Sequence, residues 1–436
     1  MRIGIIGCGY VADHYLETLP NHQNLQLQGV ADLNLSRATA VAKRYGTTAY
    51  PSTEALLADP KVELVVNLTS PASHYTVTKA SLLAGKHVYS EKPFALVLSK
   101  GQELVDLAER QGLLLSSAPC SVLSETAQTL WKLVLDGAVG RVQLVYAELD
   151  DNPIYLMHPE GWTSETGVPW PYRNEYEVGC TLEHAGYHLT WLAAMFGPAA
   201  SVTAFSSCVV PDKTPLPLDP PDTPDFSVAC IVFKSGVVAR LTCSIVAPYD
   251  HRFRIIGNKG ILSIDECWEY GAPVYLERFF QLSLNARKSR WVRSSPFLQS
   301  LFGVGGRKQP LVRKPRSHFG RRLREVMSGR RSFLGALSKS MSNVSMDFFQ
   351  GVAEMANAIE EHRNCLLPPQ FVLHVDELTL AIQNAGTTGG PYVLTTSFEP
   401  LSLIPSTLKA ERTYRDTTPG VLTTAAEMVI ARLHKH

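Results

Sequence analysis

The residues with the clearest chemical potential follow two apolar runs, residues 63–68 and 87–90. Thr69, Pro71 and His74 follow the first run, and Glu91 and Lys92 follow the second. In an open parallel sheet, ligands bind beyond the carboxyl ends of the strands, so we expect these five residues to converge on a cofactor crevice. A lysine there can hold a substrate hydroxyl and share its proton, provided that burial and neighbouring charge tune its pKa.

A glycine-rich turn lies near the start of the chain, between an apolar run and a predicted helix. Gly7, Gly9 and Ala12 form a Gly-x-Gly-x-x-Ala pattern. The first glycine permits the tight turn, the second lets the backbone approach a pyrophosphate, and the alanine keeps the helix close to the strand. Free N–H groups at the helix start then face the phosphates, and Tyr10 and Val11 belong to the same predicted cofactor site. A tight turn without a ligand is the alternative.

An acidic residue closes the second apolar run. Asp32 lies 25 residues after Gly7, near the place where a carboxylate accepts hydrogen bonds from a ribose 2′-OH. A 2′-phosphate would place negative charge beside that carboxylate, so Asp32 predicts NAD rather than NADP. Arg37 is the counter-argument, because a guanidinium five residues further on could reach a phosphate.

A parallel sheet is needed to bring these residues together, and the first 120 residues predict one. Short apolar strands alternate there with helices, which is typical of a sheet covered on both faces. Beyond residue 140, β-rich runs joined by short turns predict a mostly antiparallel sheet. Predicted strands span 3–7, 26–31, 63–68, 87–90, 113–117, 141–149, 227–233, 237–246, 253–256 and 260–264; predicted helices span 12–19, 36–45, 53–58, 74–84, 99–111, 181–196 and 346–361.

The composition fits a globular protein of more than one domain. At 436 residues the chain exceeds one ordinary core, and its net charge of +1 gives no overall attraction to polyanions. No apolar stretch is long enough to span a bilayer. Eight scattered cysteines without paired spacing predict reduced thiols and a cytoplasmic location. We expect a cofactor domain at 1–120, a substrate and oligomerisation domain at 121–395, and a C-terminal extension at 396–436.

The segment 278–331 departs from this balance and reads as an insertion in the second domain. It holds fifteen Lys and Arg residues against one acid, Glu325. A solvated loop is one interpretation, since charge runs usually are solvated. An electropositive surface for a diphosphate, an anionic lipid surface or an acidic partner is the other. Nucleic acid is not expected, because no nucleic-acid-binding fold accompanies the charge.

Several motifs together resemble the glucose–fructose oxidoreductase, inositol dehydrogenase and MocA (Gfo/Idh/MocA) family. The resemblance covers most of the chain and implies an α/β fold, with an N-terminal Rossmann domain of doubly wound parallel sheet. A C-terminal α/β domain with an open, mostly antiparallel sheet would follow. It also implies nicotinamide-dependent redox chemistry at a carbinol of a sugar or cyclitol, with Lys92 near the reacting hydroxyl. The motifs are the glycine turn at 7–12, Thr69-Ser70-Pro71 with His74, 85–88 leading into Glu91-Lys92-Pro93, Tyr172-Arg173-Asn174, Gly186-Tyr187-His188, 347–351 and 374–377.

One departure from the family's pattern concerns its Asp-x-Gly-x-His motif, in which the histidine is the acid/base. Aligning Gly186 and His188 places His184 in the aspartate position, with Glu183 beside it. On an α-helix, positions 184 and 188 share a face and position 183 is rotated away. We therefore expect His188 as the acid/base and His184 as its partner or a substrate contact, with packing histidines as the alternative. No third ligand for a metal is evident, so no metal is predicted.

An aromatic segment precedes that helix. Aromatic rings suit stacking on a sugar or a base, and an arginine offers a bidentate fork for phosphate or carboxylate. A loop that only packs over the sheet is the alternative. The predicted substrate contacts are Trp170, Tyr172, Arg173, Asn174, Glu183 and His184.

The sequence thus predicts an NAD-dependent oxidoreductase acting on a sugar or nucleotide-linked sugar, assembled as a homo-oligomer. In this interpretation Lys92 and His188 manage the hydroxyl proton. A second hypothesis is an enzyme that retains NAD and catalyses epimerisation, elimination or glycoside cleavage without net redox change. A third is a non-catalytic dinucleotide-binding sensor.

Overall fold

A six-stranded parallel sheet forms the N-terminal part of the protein. The computed structural model describes residues 1–313, 346–388 and 390–409. The strands lie in the order β3-β2-β1-β4-β5-β6, with helices between them. The strands are β1 Arg2–Ile6, β2 Gln26–Ala31, β3 Thr48–Ala49, β4 Leu64–Asn67, β5 His87–Ser90 and β6 Leu115–Ser117; the helices are α1 Tyr10–Thr18, α2 Leu35–Tyr45, α3 Thr53–Ala58, α4 Pro71–Leu83 and α5 Leu98–Gln111.

A nine-stranded mixed sheet forms the second part, in the order β14-β13-β12-β11-β7-β10-β9-β8-β15. Within the described residues, β7 and β10 pair in parallel and the other neighbours pair antiparallel. The predicted α/β fold with two different sheets is therefore confirmed. The strands are β7 Val142–Asp150, β8 Ala199–Ser207, β9 Phe226–Phe233, β10 Val238–Ser244, β11 Phe253–Gly257, β12 Gly260–Ile264, β13 Val274–Arg278, β14 Arg307–Gln309 and β15 Tyr392–Val393.

Ten further α-helices follow within the described residues, and most of them pack around the second sheet. The segment predicted as a helix at 181–196 begins with a π-helical turn, Thr181–Ala185, and continues as an α-helix. None of the described helices is long and apolar enough to cross a membrane. The helices are α6 Glu125–Leu135, α7 Tyr172–Val178, α8 Gly186–Phe196, α9 Gln281–Ala286, α10 Arg290–Arg293, α11 Pro296–Phe302, α12 Gln350–Glu360, α13 Pro369–Gln383, α14 Ala385–Thr388 and α15 Pro405–Leu408.

The chain returns to the first sheet after crossing the second. Phe349 and Met355, at the start of and within α12, are fully buried in the same apolar core as Ile3 and Tyr15. Asp347 accepts hydrogen bonds from the Asn21 and His22 side chains at 3.0 and 2.8 Å. The core of the first domain thus needs residues far beyond position 120.

The basic insertion is partly described. Residues 279–313 form α9, α10, α11 and the edge strand β14, whereas 314–331 lie outside the described residues. Of the predicted C-terminal extension, residues 396–409 are described. The backbone N–H of Ile404 donates to Gln128 Oε1 at 3.0 Å and fastens this segment to α6.

Two adjacent acids on α13 make opposite contributions to stability. Burial raises the pKa of Asp376 to about 8, although the Ala95 N–H donates to it at 3.3 Å. Hydrogen bonds from Thr395 and Thr396 overcome burial at Glu377 and lower its pKa. In the folded state Asp376 therefore favours its proton, and Glu377 favours its charge.

We predict that Asp376→Asn stabilises the protein at pH 8 relative to wild type. The folded pKa lies above the unfolded value of about 3.9, so the wild type loses stability as pH rises from about 4 to about 8. The asparagine variant has no titrating group at this position and does not lose stability in this way. The excess of its free energy of unfolding over that of wild type should therefore shrink toward pH 4. Chemical unfolding across that range tests this, with Glu377→Gln as a control of opposite sign. A variant that is less stable than wild type at pH 8 would contradict the prediction.

Candidate active site

The glycine turn is shaped for a ligand. Gly7 has φ +102°, and a Cβ on it would lie 2.4 Å from the Leu68 carbonyl oxygen, so no side chain fits. Gly9 is the N-cap of α1, no side chain caps this helix, and its missing Cβ would meet open space. Ala12 is fully buried against the sheet. The uncapped helix start beside an open space fits the diphosphate of a dinucleotide.

Asp32 stabilises this turn through hydrogen bonds to the backbone. Its carboxylate accepts hydrogen bonds from the backbone N–H of Cys8 and of Asn34, each at 2.7 Å. One lone pair on each oxygen remains, and the side chain is only partly buried at the carboxyl end of β2. The neighbouring Leu33 is fully exposed, which suits an adenine ring, and Arg37 lies exposed on the first turn of α2.

The residues after β4 mainly shape the crevice. Thr69 donates from Oγ1 to Asn67 Oδ1 at 2.7 Å, and Pro71 begins α4. His74 is buried, with Nδ1 2.7 Å from the Pro93 carbonyl oxygen and Nε2 3.0 Å from the Thr69 carbonyl oxygen. Both ring nitrogens therefore contact backbone carbonyls, and a direct contact of His74 with the cofactor stays a prediction. The His74 ring joins the loops after β4 and β5.

Glu91 links the glycine-turn helix to the lysine. Its carboxylate accepts from Tyr15 Oη at 2.7 Å and from the backbone N–H of Lys92 at 3.0 Å. Tyr15 is a buried residue of α1. The side chain of Glu91 is therefore committed to protein contacts that fix where Lys92 begins.

Lys92 forms an ion pair with Glu183 across the two domains. The Lys92 side chain is 19% exposed and that of Glu183 is 6% exposed. Burial acts to lower the pKa of Lys92, but the charges of Glu183 and Glu175 outweigh burial and raise it. The ammonium group therefore stays charged at the carboxyl end of β5.

The π-helical turn decides which residues accompany Lys92. A π turn contains an extra residue and changes the face that the following residues present. Glu183 lies in this turn and Tyr187 lies four residues later, in the first turn of α8. Burial raises the pKa of Tyr187, while the Lys92 charge opposes that shift, so the phenol lies within electrostatic range of the ammonium group. The Tyr187 ring packs edge-on against Trp268 at 5.6 Å.

His188 faces the core of the second domain. It is fully buried, its Nε2–H donates to the Glu148 carbonyl oxygen at 2.9 Å, and its ring stacks on Phe253 at 5.3 Å. Burial lowers the pKa of His188 to about 3, so the ring is neutral. These contacts engage Nε2 and one ring face of His188, and its acid/base role stays a prediction.

His184 lies at the border of the site. Its Nδ1 is 3.8 Å from Asp151, its Nε2 is 3.9 Å from Glu175, and burial lowers its pKa to about 3. Burial also raises the pKa of Glu175 to about 8 and that of Asp151 to about 6. Sequence reasoning missed Glu175, Asp151 and Tyr187. The signals available in the sequence were two consecutive acids at the end of β7 and a tyrosine four residues after Glu183.

One group of possible metal ligands exists among the described residues. Ligand atoms of His251, Glu266 and Cys267 lie within 4.8 Å of one another. Glu266 already accepts hydrogen bonds from His251 Nδ1 at 3.0 Å, from the backbone N–H of Trp268 at 2.7 Å and from the Tyr249 hydroxyl. This is a hydrogen-bonded cluster that orients His251 beside Trp268, and three of the four lone pairs of the carboxylate are engaged by protein donors.

The aromatic segment is fastened to the first domain. Asp13 of α1 accepts from the backbone N–H and the hydroxyl of Thr166, each at 2.8 Å. Trp170 packs on Trp162 with ring centroids 4.9 Å apart. Tyr172 and Asn174 are half-buried on α7, whereas Arg173 is exposed and donates to Glu177 at 3.1 Å. The expected arginine fork is therefore engaged by a neighbouring carboxylate.

Comparisons with known proteins agree with this architecture. A model described as an oxidoreductase family with an NAD-binding Rossmann fold matches residues 1–118, and a GFO/IDH/MocA C-terminal domain matches residues 127–263. A trans-1,2-dihydrobenzene-1,2-diol dehydrogenase from Mus musculus is 26% identical over 273 residues, which are 62% of this chain and 75% of that protein.

Solved structures share the fold. A UDP-N-acetylglucosamine 3-dehydrogenase from Acidithiobacillus ferrooxidans superposes with a TM-score of 0.61 at 19% identity, covering 88% of this chain and 97% of that one. The WlbA dehydrogenase from Bordetella pertussis, in complex with NADH and UDP-GlcNAcA, has a TM-score of 0.63 at 16% identity and covers 90% and 97%. With family models matching both domains, this chain belongs to the Gfo/Idh/MocA family of oxidoreductases and binds NAD through its N-terminal Rossmann fold.

Proposed function

We propose that this protein transfers hydride between NAD and a carbinol carbon of a sugar or nucleotide-linked sugar. The observation that carries the proposal is the charged Lys92, paired with Glu183 at the carboxyl end of β5 and within electrostatic range of Tyr187. Ligands of open parallel sheets bind at such strand ends, and the uncapped helix after Gly9 lies at the same edge. Cofactor and reacting hydroxyl would therefore meet at Lys92.

Lys92 and Tyr187 would handle the hydroxyl proton. The Lys92 ammonium donates a hydrogen bond to the substrate oxygen, and Glu183 holds the ammonium in place. Tyr187 keeps its proton because burial raises its pKa, so it is suited to protonate an alkoxide oxygen during carbonyl reduction. Lys92 opposes that shift and so stabilises the phenolate of Tyr187, which is the form that would accept the hydroxyl proton in the oxidation direction. Bound NAD supplies the acceptor or donor of the hydride.

The surroundings of Lys92 favour a neutral, hydroxyl-rich substrate. Glu183 and Glu175 both act on Lys92, and burial followed by the charge of Glu183 raises the pKa of Glu175 to about 8. A substrate carboxylate would add to this repulsion, whereas sugar hydroxyls donate hydrogen bonds to carboxylates. Trp170 and Tyr172, which are half-buried, would offer aromatic faces to a sugar, and two structural neighbours bear UDP-sugar names.

Assembly and location are also proposed. The second sheet exposes apolar side chains, including Phe205, Val232 and Val393, which favours a homo-oligomer formed over this face. All eight cysteines are free of disulfides, which favours the reducing cytoplasm.

Turnover with sugars tests the proposal. We expect purified protein to change NADH absorbance with a free sugar or sugar nucleotide, and to prefer NAD over NADP because Asp32 disfavours a 2′-phosphate. Asp32→Ala should reduce the preference for NAD over NADP. Absence of turnover with every free sugar and sugar nucleotide tested would contradict the proposal. Stoichiometric NAD released from denatured protein, with product but no net NADH change, would instead support the NAD-retaining hypothesis. Tighter binding of NADP would overturn the Asp32 assignment.

We predict that Tyr187→Phe lowers kcat by about 10²–10⁴-fold while NADH binding persists, because only the proton-transferring hydroxyl is removed. Steady-state kinetics and NADH fluorescence titration measure the two effects. Tyr172→Phe is the matched control and should retain turnover. His188→Gln should mainly reduce thermal stability. Full activity of Tyr187→Phe, with activity lost in folded His188→Gln, would return the acid/base role to the histidine.

A further inference from the structure

Three short helices at the edge of the second sheet carry an exposed surface that the redox site does not use. We define the basic-aromatic patch as Lys288, Arg290, Trp291, Arg293 and Phe297, on and beside α10 and α11. Trp291 is 80% exposed and Phe297 is 74% exposed. Large aromatic side chains that are this exposed to solvent, next to cationic side chains, indicate an interaction surface.

All charged side chains of this region are cationic. Residues 279–313 contain seven Lys and Arg residues and no acid. Arg287 is paired with Glu277 of β13. Lys288, Arg290 and Arg293 have no carboxylate partner within the described residues, and Arg293 Nη1 donates only to the Lys288 carbonyl oxygen, at 3.1 Å. Three cations are therefore available to an anionic partner.

The patch is held by buried groups beneath it. Val292 and Ala286 pack inward, each less than a tenth exposed. Gln299 Nε2 donates to the Arg293 carbonyl oxygen at 2.8 Å, which joins α11 to α10. Glu277 accepts from the Gly305 backbone N–H at 2.8 Å and fastens the far end of the helices to β13. The outward direction of the aromatic rings is thus fixed by the fold.

We propose that the basic-aromatic patch binds the surface of an anionic lipid bilayer. Lys and Arg side chains near such a surface are attracted to its phosphates, while Trp and Phe rings enter the boundary between headgroups and acyl chains. The aliphatic Leu284 of α9, 43% exposed, extends the apolar part. An aliphatic side chain gains from acyl chains but cannot stack on a base, so the composition favours lipid over single-stranded nucleic acid.

Vesicle co-sedimentation of the full chain tests this. We expect binding to vesicles of phosphatidylglycerol and phosphatidylcholine in equal parts, little binding to pure phosphatidylcholine, and weaker binding at higher salt. The double variant Arg290→Gln/Arg293→Gln should lower the partition coefficient about fivefold for each charge removed. Trp291→Ser/Phe297→Ser should also weaken binding and abolish the lipid-induced blue shift of tryptophan emission.

Controls separate this patch from general charge and hydrophobicity. Lys43→Gln/Lys61→Gln removes two exposed cations of the first domain, and Leu135→Ser removes an apolar side chain that is 60% exposed. Both controls should bind like wild type, and all variants should keep wild-type NADH binding. Absence of binding of the wild-type protein to anionic vesicles would overturn the proposal. So would binding unchanged in both patch variants, or tighter binding to poly(U) than to the vesicles.

Discussion

The ion pair between Lys92 and Glu183 is the interaction on which the rest of the site depends. One partner ends a strand of the first sheet and the other lies in the π-helical turn of the second domain. Glu183 is buried and Lys92 is mostly buried, and removing either partner would leave the other charge uncompensated at a free-energy cost. The pair therefore couples the docking of the two domains to the completion of the site.

The hydrogen bonds around this pair form a continuous scaffold. Tyr15 of α1 holds Glu91, Glu91 holds the backbone of Lys92, and His74 joins the loops that flank the crevice. The helix that begins at the glycine turn is thus connected to the lysine by two hydrogen bonds. Two predicted cofactor contacts, Glu91 and His74, thus also hold backbone segments around the crevice.

The sequence allowed much of the first domain to be predicted, because its signals are local. Gly7, Gly9 and Asp32 act through backbone geometry that a short segment determines, and the strands lie within a few residues of their expected positions. The face of the helix at 181–196 could not be predicted in this way. The π-helical turn brings Glu183 to Lys92, while His188 contacts the Glu148 carbonyl of β7 and the Phe253 ring of β11, which are distant in sequence.

The return of α12 to the first sheet has a consequence for synthesis on the ribosome. Ile3 and Tyr15 emerge early, but Phe349 and Met355, which complete their core, emerge more than three hundred residues later. Until then the nascent first sheet presents an unfilled apolar surface, a kind of surface that promotes aggregation. This fold therefore cannot mature strictly from its N-terminus, and its first domain is completed only after most of the second has been translated.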